Sequence, residues 1–361
     1  MYYFLNFYLT FVFKNLNLLI HLKKEPKKLE IMKKHSVLTF LLIAFSVTIT
    51  NAHVYRVNNN PGVNANFTNF TAAQNVAVNG DTLYFEGSPV SYGDITITKQ
   101  LCIIGPGYFL TENPQTQSNP VTAQFGIINF NPGSSNSTLS GFVLNGAINI
   151  KVGNIMVKGN HCKYIVINNA SSFSNIFLLK NYIVNENWSG IAISAGGGSS
   201  EINNIVISNN YLGGDACIVL PSTCMCIISN NVLVNNMDVY NSIIANNIQR
   251  VGNQTLHNNY YYNNIGNGTQ FPIGNGNQQS IDMVNVFVGL TGHSTDGQWQ
   301  LKEYSPAIGA GNDGLDCGMF GGTDPYVLSG LPAIPAIYQI MMPTTGNSSS
   351  GINVTVKAKT H

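Results

Sequence analysis

The chain has 361 residues, with 17 Lys+Arg against 16 Asp+Glu, and only 9% of it is charged. Its 44% apolar content excludes a disordered chain, which needs low hydrophobicity and high net charge. With 50 Asn and 35 Gly, it disfavours long helices and favours short strands joined by tight turns. A net charge of +1 without a basic cluster beyond the N-terminus argues against a nucleic-acid partner.

Seven of the 17 basic residues precede His53. From Met32 the chain reads as a secretory signal: Lys33 and Lys34 are the positive start and Val37 to Val47 the apolar stretch. Thr50-Asn51-Ala52 offers small residues for cleavage. Residues 32–52 are therefore expected to be a signal peptide, and export to the medium or cell surface follows. In residues 1–31, the apolar run from Tyr2 to Ile20 is broken by Asn6, Lys14, Asn15 and Asn17. A spanning helix wants ~20 mostly apolar residues, so a membrane anchor is the weaker reading; with a complete signal just behind this stretch, translation is expected to begin at Met32. From His53 onward, ten basic residues face fourteen acidic ones, a formal charge of −4. No stable membrane span is expected in that mature chain.

The middle repeats. Ile155-x-Val157-x-x-Asn160 recurs as Ile176-x-Leu178-x-x-Asn181, Ile205-x-Ile207-x-x-Asn210 and Cys226-x-Ile228-x-x-Asn231. A weaker copy is Ser242-x-Ile244-x-x-Asn247, and a degraded one is placed at Asn259. Spacings of 21, 29, 21, 16 and 12 mark a solenoid, whose units bury apolar area only by stacking. Alternation at the two apolar positions is strand periodicity, and the Asn closes each strand at a bend. Stacked coils bring equivalent Asn side chains ~4.8 Å apart, close enough for an amide ladder. A leucine-rich repeat shares this spacing. Ile and Val dominate here, however, and further strand-like runs such as Ile165-Val166-Ile167 and Cys217-Ile-Val-Leu220 fill the gaps. A parallel β-helix is therefore expected, although the last two spacings are too short for full coils in this register.

The flanks carry a resemblance. Gly80-Asp-Thr-Leu-Tyr-Phe-Glu-Gly87 and Ile95-Thr-Ile-Thr-Lys-Gln-Leu-Cys-Ile-Ile-Gly-Pro-Gly107 resemble the opening coils of right-handed parallel β-helix proteins, the pectate-lyase-like superfamily. Phe70, Ala73, Val76 and Ala77 suggest an amphipathic helix capping the stack. Trp299 to Gly311 and Asp316 to Gly322 resemble a closing coil of exported members. The helix domain is thus expected over 53–325. Residues 326–361 would form a Pro-rich strap, a Ser/Gly linker and a terminal strand from Ile352 to Lys357.

The resemblance implies lyases that hold Ca²⁺ with clustered carboxylates, and hydrolases with grouped Asp. Between Ser140 and Ile265 the acids are Glu186, Glu201, Asp215 and Asp238 only, too scattered for either chemistry. No catalytic residue is assigned. Trp188, Tyr260, Tyr261 and Tyr262 are the candidate sugar contacts, though one of three consecutive strand tyrosines must turn inward. Asn312, Asp313 and Asp316 could hold a Ca²⁺, against the plainer reading of turn chemistry; no other cofactor is expected. Cys224-x-Cys226 reads as buried thiols rather than a zinc pair, and a Cys217–Cys224 disulfide stays open. His161 and His257 read as surface residues beside turns. The expected function is a non-catalytic β-helix for adhesion or glycan binding, its partner a polysaccharide or cell-surface glycan. The alternatives are a divergent polysaccharide lyase or glycoside hydrolase, and a structural surface stalk.

Overall fold

The computed structural model describes residues 52–360 except 169, 186–190, 197, 256, 347, 348 and 350. Residues 32–51 of the expected signal peptide and Trp188 lie outside the described residues. What is described is a right-handed parallel β-helix with three walls. Wall 1 has ten parallel strands, from Val54–Val57 through Ile155–Lys158, Phe173–Leu179, Ile202–Ser208 and Cys224–Ser229 to Tyr260–Tyr262. Walls 2 and 3 share long strands that bend. In His161–Asn168 the first residues pair with Tyr182–Val184 on wall 2, and the rest pair with Ile191–Gly196 on wall 3. A register shift after Cys162 marks the corner.

Strand periodicity explains the core. Ile155, Val157, Ile176, Leu178, Ile205, Ile207 and Ile228 point inward from wall 1, each fully buried. Ile165, Ile193 and Ile218 do the same from wall 3, stacked in register. Each such side chain contributes about 1.5–3 kcal/mol of burial. Cys162 and Cys226 point inward at places that Ile183 and Ile205 fill in neighbouring coils, and all six cysteines are free thiols. Cys217 donates to the Leu212 carbonyl at 3.1 Å rather than bridging to Cys224.

The corner between walls 1 and 2 is a two-residue device. Its first residue is left-handed in six successive coils: Gly159, Lys180, Asn209, Asn230, Asn246 and Asn263 have φ between 54° and 61°. Glycine and asparagine tolerate that region best. Its second residue is the ladder asparagine, and Asn160, Asn181, Asn210, Asn231, Asn247 and Asn264 are fully buried. From Asn181 onward each side-chain oxygen accepts the backbone N–H of the preceding coil's asparagine, as in Asn181 N to Asn210 Oδ1 at 2.8 Å, while Asn160 Oδ1 accepts Phe142 N at 3.2 Å. Asn264 in turn donates its N–H to Asn277 Oδ1 at 3.0 Å. The ladder therefore passes through Asn264, not Asn259. The coils of 16 and 17 residues are complete, because they shorten the links on the far side and leave the corner intact. Asn259 instead lies inside wall 1 at the place Ile fills in earlier coils, accepting from Ser242 N at 2.9 Å.

The helix Phe70–Val76 sits at the N-terminal end, capped by Asn69 Oδ1 on Ala72 N at 2.9 Å. Lys99 Nζ donates to the carbonyls of Gln74, Asn75 and Ala77, satisfying the helix C-terminus. Phe70, Ala73 and Ala77 are buried, whereas Val76 is 56% exposed. Seven residues make barely two turns, too short for the full four-residue apolar stripe to face the stack.

The largest departure from expectation is at the C-terminal side. Trp299–Gly322 is not a coil. Residues 281–331 run along the outside of wall 2 and bury its outward column of Tyr182, Tyr211, Val232, Ile248 and Ile265 beneath Val286, Phe287, Trp299, Cys317 and Met319. The left-handed corner residues hold this cover: Asn209 Nδ2 donates to the Met319 and Gly321 carbonyls, and Asn230 Nδ2 to that of Asp316. The chain passes back to the first coils. At Gly330 (φ 54°) a Cβ would lie 2.2 Å from the Tyr108 ring, so only glycine permits the approach. Beyond Pro335, Ala336–Met341 pairs antiparallel with Thr355–Lys359. The terminal strand thus pairs with the strap and not with the solenoid.

One buried carboxylate knots the cover down. Asp296 is fully buried. It accepts from Asn113 Nδ2 and the Ser294 hydroxyl at 2.9 Å, the Tyr326 hydroxyl at 3.1 Å and Ser329 N at 2.6 Å. Tyr326 also meets the Tyr108 hydroxyl at 2.6 Å. Asp296→Asn keeps the shape but sets an amide N–H₂ against donors. A loss of about 2–3 kcal/mol is expected, read as a lower urea midpoint with earlier proteolysis within residues 300–335. Unchanged midpoint and proteolysis would show that the carboxylate does not fasten the cover.

Candidate functional site

Wall 1 is where the fold leaves functional surface open. Its outward positions stack in register into a column: Met156, Phe177, Val206, Ile227, Ile243 and Tyr260. Ile227, Ile243 and Tyr260 are 41%, 39% and 61% exposed, and the other three are half-buried. Six strands at ~4.8 Å spacing make a stripe about 24 Å long. The equivalent column on wall 2 is covered by the chain's own cover, and this one is not.

The stripe has two polar borders. On one side Asn154, Asn175 and Asn204 are left-handed and form a partly exposed amide ladder, with Asn175 Nδ2 to Asn154 Oδ1 and Asn204 Nδ2 to Asn175 Oδ1 both 2.7 Å. On the other, a cleft of about 240 Å³ separates Val206, Ser208 and Ser229 from the cover at Gly322–Asp324. It continues into a cleft of about 490 Å³ lined by Ile104, Ser140, Lys158, Lys180, Pro325 and Leu331. There Asp324 pairs with Lys180 and, at 3.5 Å, with Lys158. Burial pulls the Lys180 pKa down against the opposing pull of Asp324. Burial would raise the Asp324 pKa, but the Lys180 hydrogen bond and both lysine charges bring it below the usual carboxylate value.

At the stripe's end, Tyr260 and Tyr262 face outward with ring centroids 5.5 Å apart. Tyr261 turns inward and is only 6% exposed, its hydroxyl accepting from Asn259 Nδ2 at 2.9 Å. Its ring cannot lie on a sugar, as the period of two requires. Of the four expected contacts, the fold thus brings Tyr260 and Tyr262 together, removes Tyr261, and leaves Trp188 outside the described residues.

Asn312, Asp313 and Asp316 stay in one turn. Asp316 Oδ1 accepts Gly309 N at 2.9 Å, Asn312 N donates to Asn246 Oδ1 at 3.1 Å, and Asp313 is left-handed. Among the described residues no three His, Cys, Asp or Glu side chains converge as metal ligands.

The histidines differ from their expected role as plain surface residues. His161 sits among Tyr108, Phe109 and Tyr182, with ring centroids 5.0–5.7 Å away. His257 Nε2 is 2.8 Å from Asp238 Oδ1, and its ring stacks on Tyr240 at 3.5 Å. Asp238 closes one coil and His257 belongs to the next, so the pairing has no local sequence signal. Among the described residues, no helix is long and apolar enough to cross a membrane. Comparisons with protein-family models, with curated proteins and with solved structures find no match to this chain.

Proposed function

We propose that the protein is an exported β-helix of the pectate-lyase-like type that binds a polysaccharide or cell-surface glycan along wall 1, in the service of adhesion. The observation that carries this is the open stripe from Met156 to Tyr260, flanked by an amide ladder. A surface that repeats with the strand spacing suits a polymer that also repeats. The apolar column takes the C–H faces of sugar rings, and the asparagine amides take their hydroxyls. Tyr260 and Tyr262 supply the aromatic end. The signal-like segment from Met32 supports export.

Residues 53–361 mixed with a panel of acidic and neutral polysaccharides are expected to co-elute with an intact polymer on size exclusion. Joint replacement of Tyr260 and Tyr262 by alanine is expected to weaken binding roughly tenfold, about 1.4 kcal/mol. Binding unchanged in that variant, or absent across the panel, would overturn the reading. A second reading rests on Asp238, His257 and Tyr240, a solvent-facing acid–base pair that a depolymerase could use. A polymer shifted to smaller size, and preserved by His257→Ala, would favour it.

A further inference from the structure

A second cavity, of about 700 Å³, lies away from wall 1, between the cover's first loop and the last turns of wall 2. Arg250, Lys302 and His293 all line it, together with Met283, Phe287 and Trp299, and its lining includes no Asp or Glu. This is unexpected in a segment where acidic residues outnumber basic ones by fourteen to ten. The Arg250 guanidinium carbon stands 4.5 Å over the Trp299 ring. That ring is fixed by stacking on Tyr211 at 4.7 Å and by edge contact with Phe287 at 5.4 Å. The arginine is thus held in place by an aromatic face rather than by a counter-charge. Among the described residues neither Arg250 nor Lys302 has a carboxylate within ion-pair distance. The nearby Asp282 instead caps its own loop, its Oδ1 accepting Val284 N at 3.0 Å. Lys302 Nζ donates once, to the Val284 carbonyl at 2.8 Å, which leaves two of its three protons for another acceptor.

We propose that this cavity binds an organic oxyanion, a carboxylate or sulfate ester carried on a small ring. Stacked on the indole and hydrogen-bonded on one side to the Tyr211 hydroxyl, the guanidinium still has N–H groups among its five donors to offer an oxyanion. Lys302 adds a point charge to the same cavity, and His293 lines it as an exposed residue. Met283 and Phe287 offer apolar edges to the ring. The site shares no residue with the wall 1 stripe, so either can fail without the other.

Trp299 reports on the site, since it is one of two tryptophans and touches Arg250. In a Trp188→Phe background, its fluorescence would be titrated with sodium sulfate, sodium glucuronate, glucose and sodium chloride at matched ionic strength. A saturable change is expected with sulfate, glucuronate or both, which also separates the two anion classes, and none with glucose or chloride. Arg250→Gln is expected to weaken the response roughly tenfold or more. Arg250→Lys, which keeps charge but loses the fork, and Lys302→Met should give smaller losses. Lys158→Met, in the distant cleft, should leave it unchanged. Should Arg250→Gln fail to fold by circular dichroism, the Lys302→Met and Arg250→Lys variants carry the comparison. A response equal to that of chloride, or one that survives in all three site variants, would overturn the proposal.

Discussion

Replacing Asn231 by leucine is expected to cost about 3–5 kcal/mol, far more than most single changes in a protein of this kind. The side chain is fully buried and uses all of its hydrogen-bonding groups. Its amide donates to the Ile207 and Ser229 carbonyls and to Asn247 Oδ1, at 2.8–3.0 Å. Its oxygen accepts the Asn210 N–H at 2.9 Å and the Asn210 amide at 3.0 Å. Leucine matches the volume but leaves a backbone N–H and the Ile207 carbonyl buried without partners. Each such orphan costs about 1–3 kcal/mol. The ladder also couples neighbouring coils, so the loss falls on the interface that makes a solenoid stable. A urea midpoint compared with wild type measures this. Asn204→Gly is the control: it removes a rung of the exposed ladder at a left-handed position that glycine accepts, and should stay within about 0.5 kcal/mol. Equal shifts for the two variants would mean that the buried amides hold the coils no better than surface ones.

The same ladder shows what could be read from the sequence. Asn160 to Asn231 are legible because each follows two inward apolar residues, and Asn247 because it keeps one of them, Ile244. Asn264 is not, because Asn259 and Tyr261 stand where those residues would be. A second signal was present. Asn209-Asn210, Asn230-Asn231, Asn246-Asn247 and Asn263-Asn264 are doublets, the left-handed residue followed by the ladder residue. Corner geometry is thus a steadier marker of the coil than the apolar pattern. It depends on backbone conformation, whereas inward positions tolerate Cys, Ser or Asn when a neighbour satisfies them.

The cover was illegible for a different reason. Residues 281–331 have no period, since they pack on a wall whose chemistry is set elsewhere, by Tyr182, Tyr211 and Ile248. Its motifs, read alone, suit a closing coil as well as an outer layer. The functional surfaces divide in the same way. Tyr260 and Tyr262 were visible as exposed strand aromatics. The stripe they end depends on register between strands 16 to 29 residues apart, and the Arg250 cavity on a loop that returns from beyond the last coil.

Stability is expected to fall steeply above about pH 9, the ordinary pKa of a thiol. Burial pushes the thiols of Cys217, Cys226 and Cys317 up from 9.0 to about 12, and moves that of Cys162 in the same direction. A raised folded-state pKa means that between the two values the unfolded chain has released a proton that the folded chain keeps. The contribution is therefore fully present below pH 9 and is lost as the pH climbs toward 12. Each thiol removes about 1.4 kcal/mol per pH unit in that window. Four acting together would exhaust a typical 5–15 kcal/mol within roughly one to three pH units. From about pH 10 the tyrosines add to the fall: burial raises Tyr211 to about 12, and Tyr108 and Tyr326 well above their ordinary value. Urea midpoints under reductant should be flat from pH 6 to 8 and then drop. Cys226→Val tests the cause, because isoleucine fills that inward place in the three preceding coils, as Ile155, Ile176 and Ile205. The variant should fold normally at pH 7 and lose stability more slowly above pH 9, by about 1.4 kcal/mol per pH unit. An identical slope would show that its thiol is already ionised, or solvated, in the folded coil.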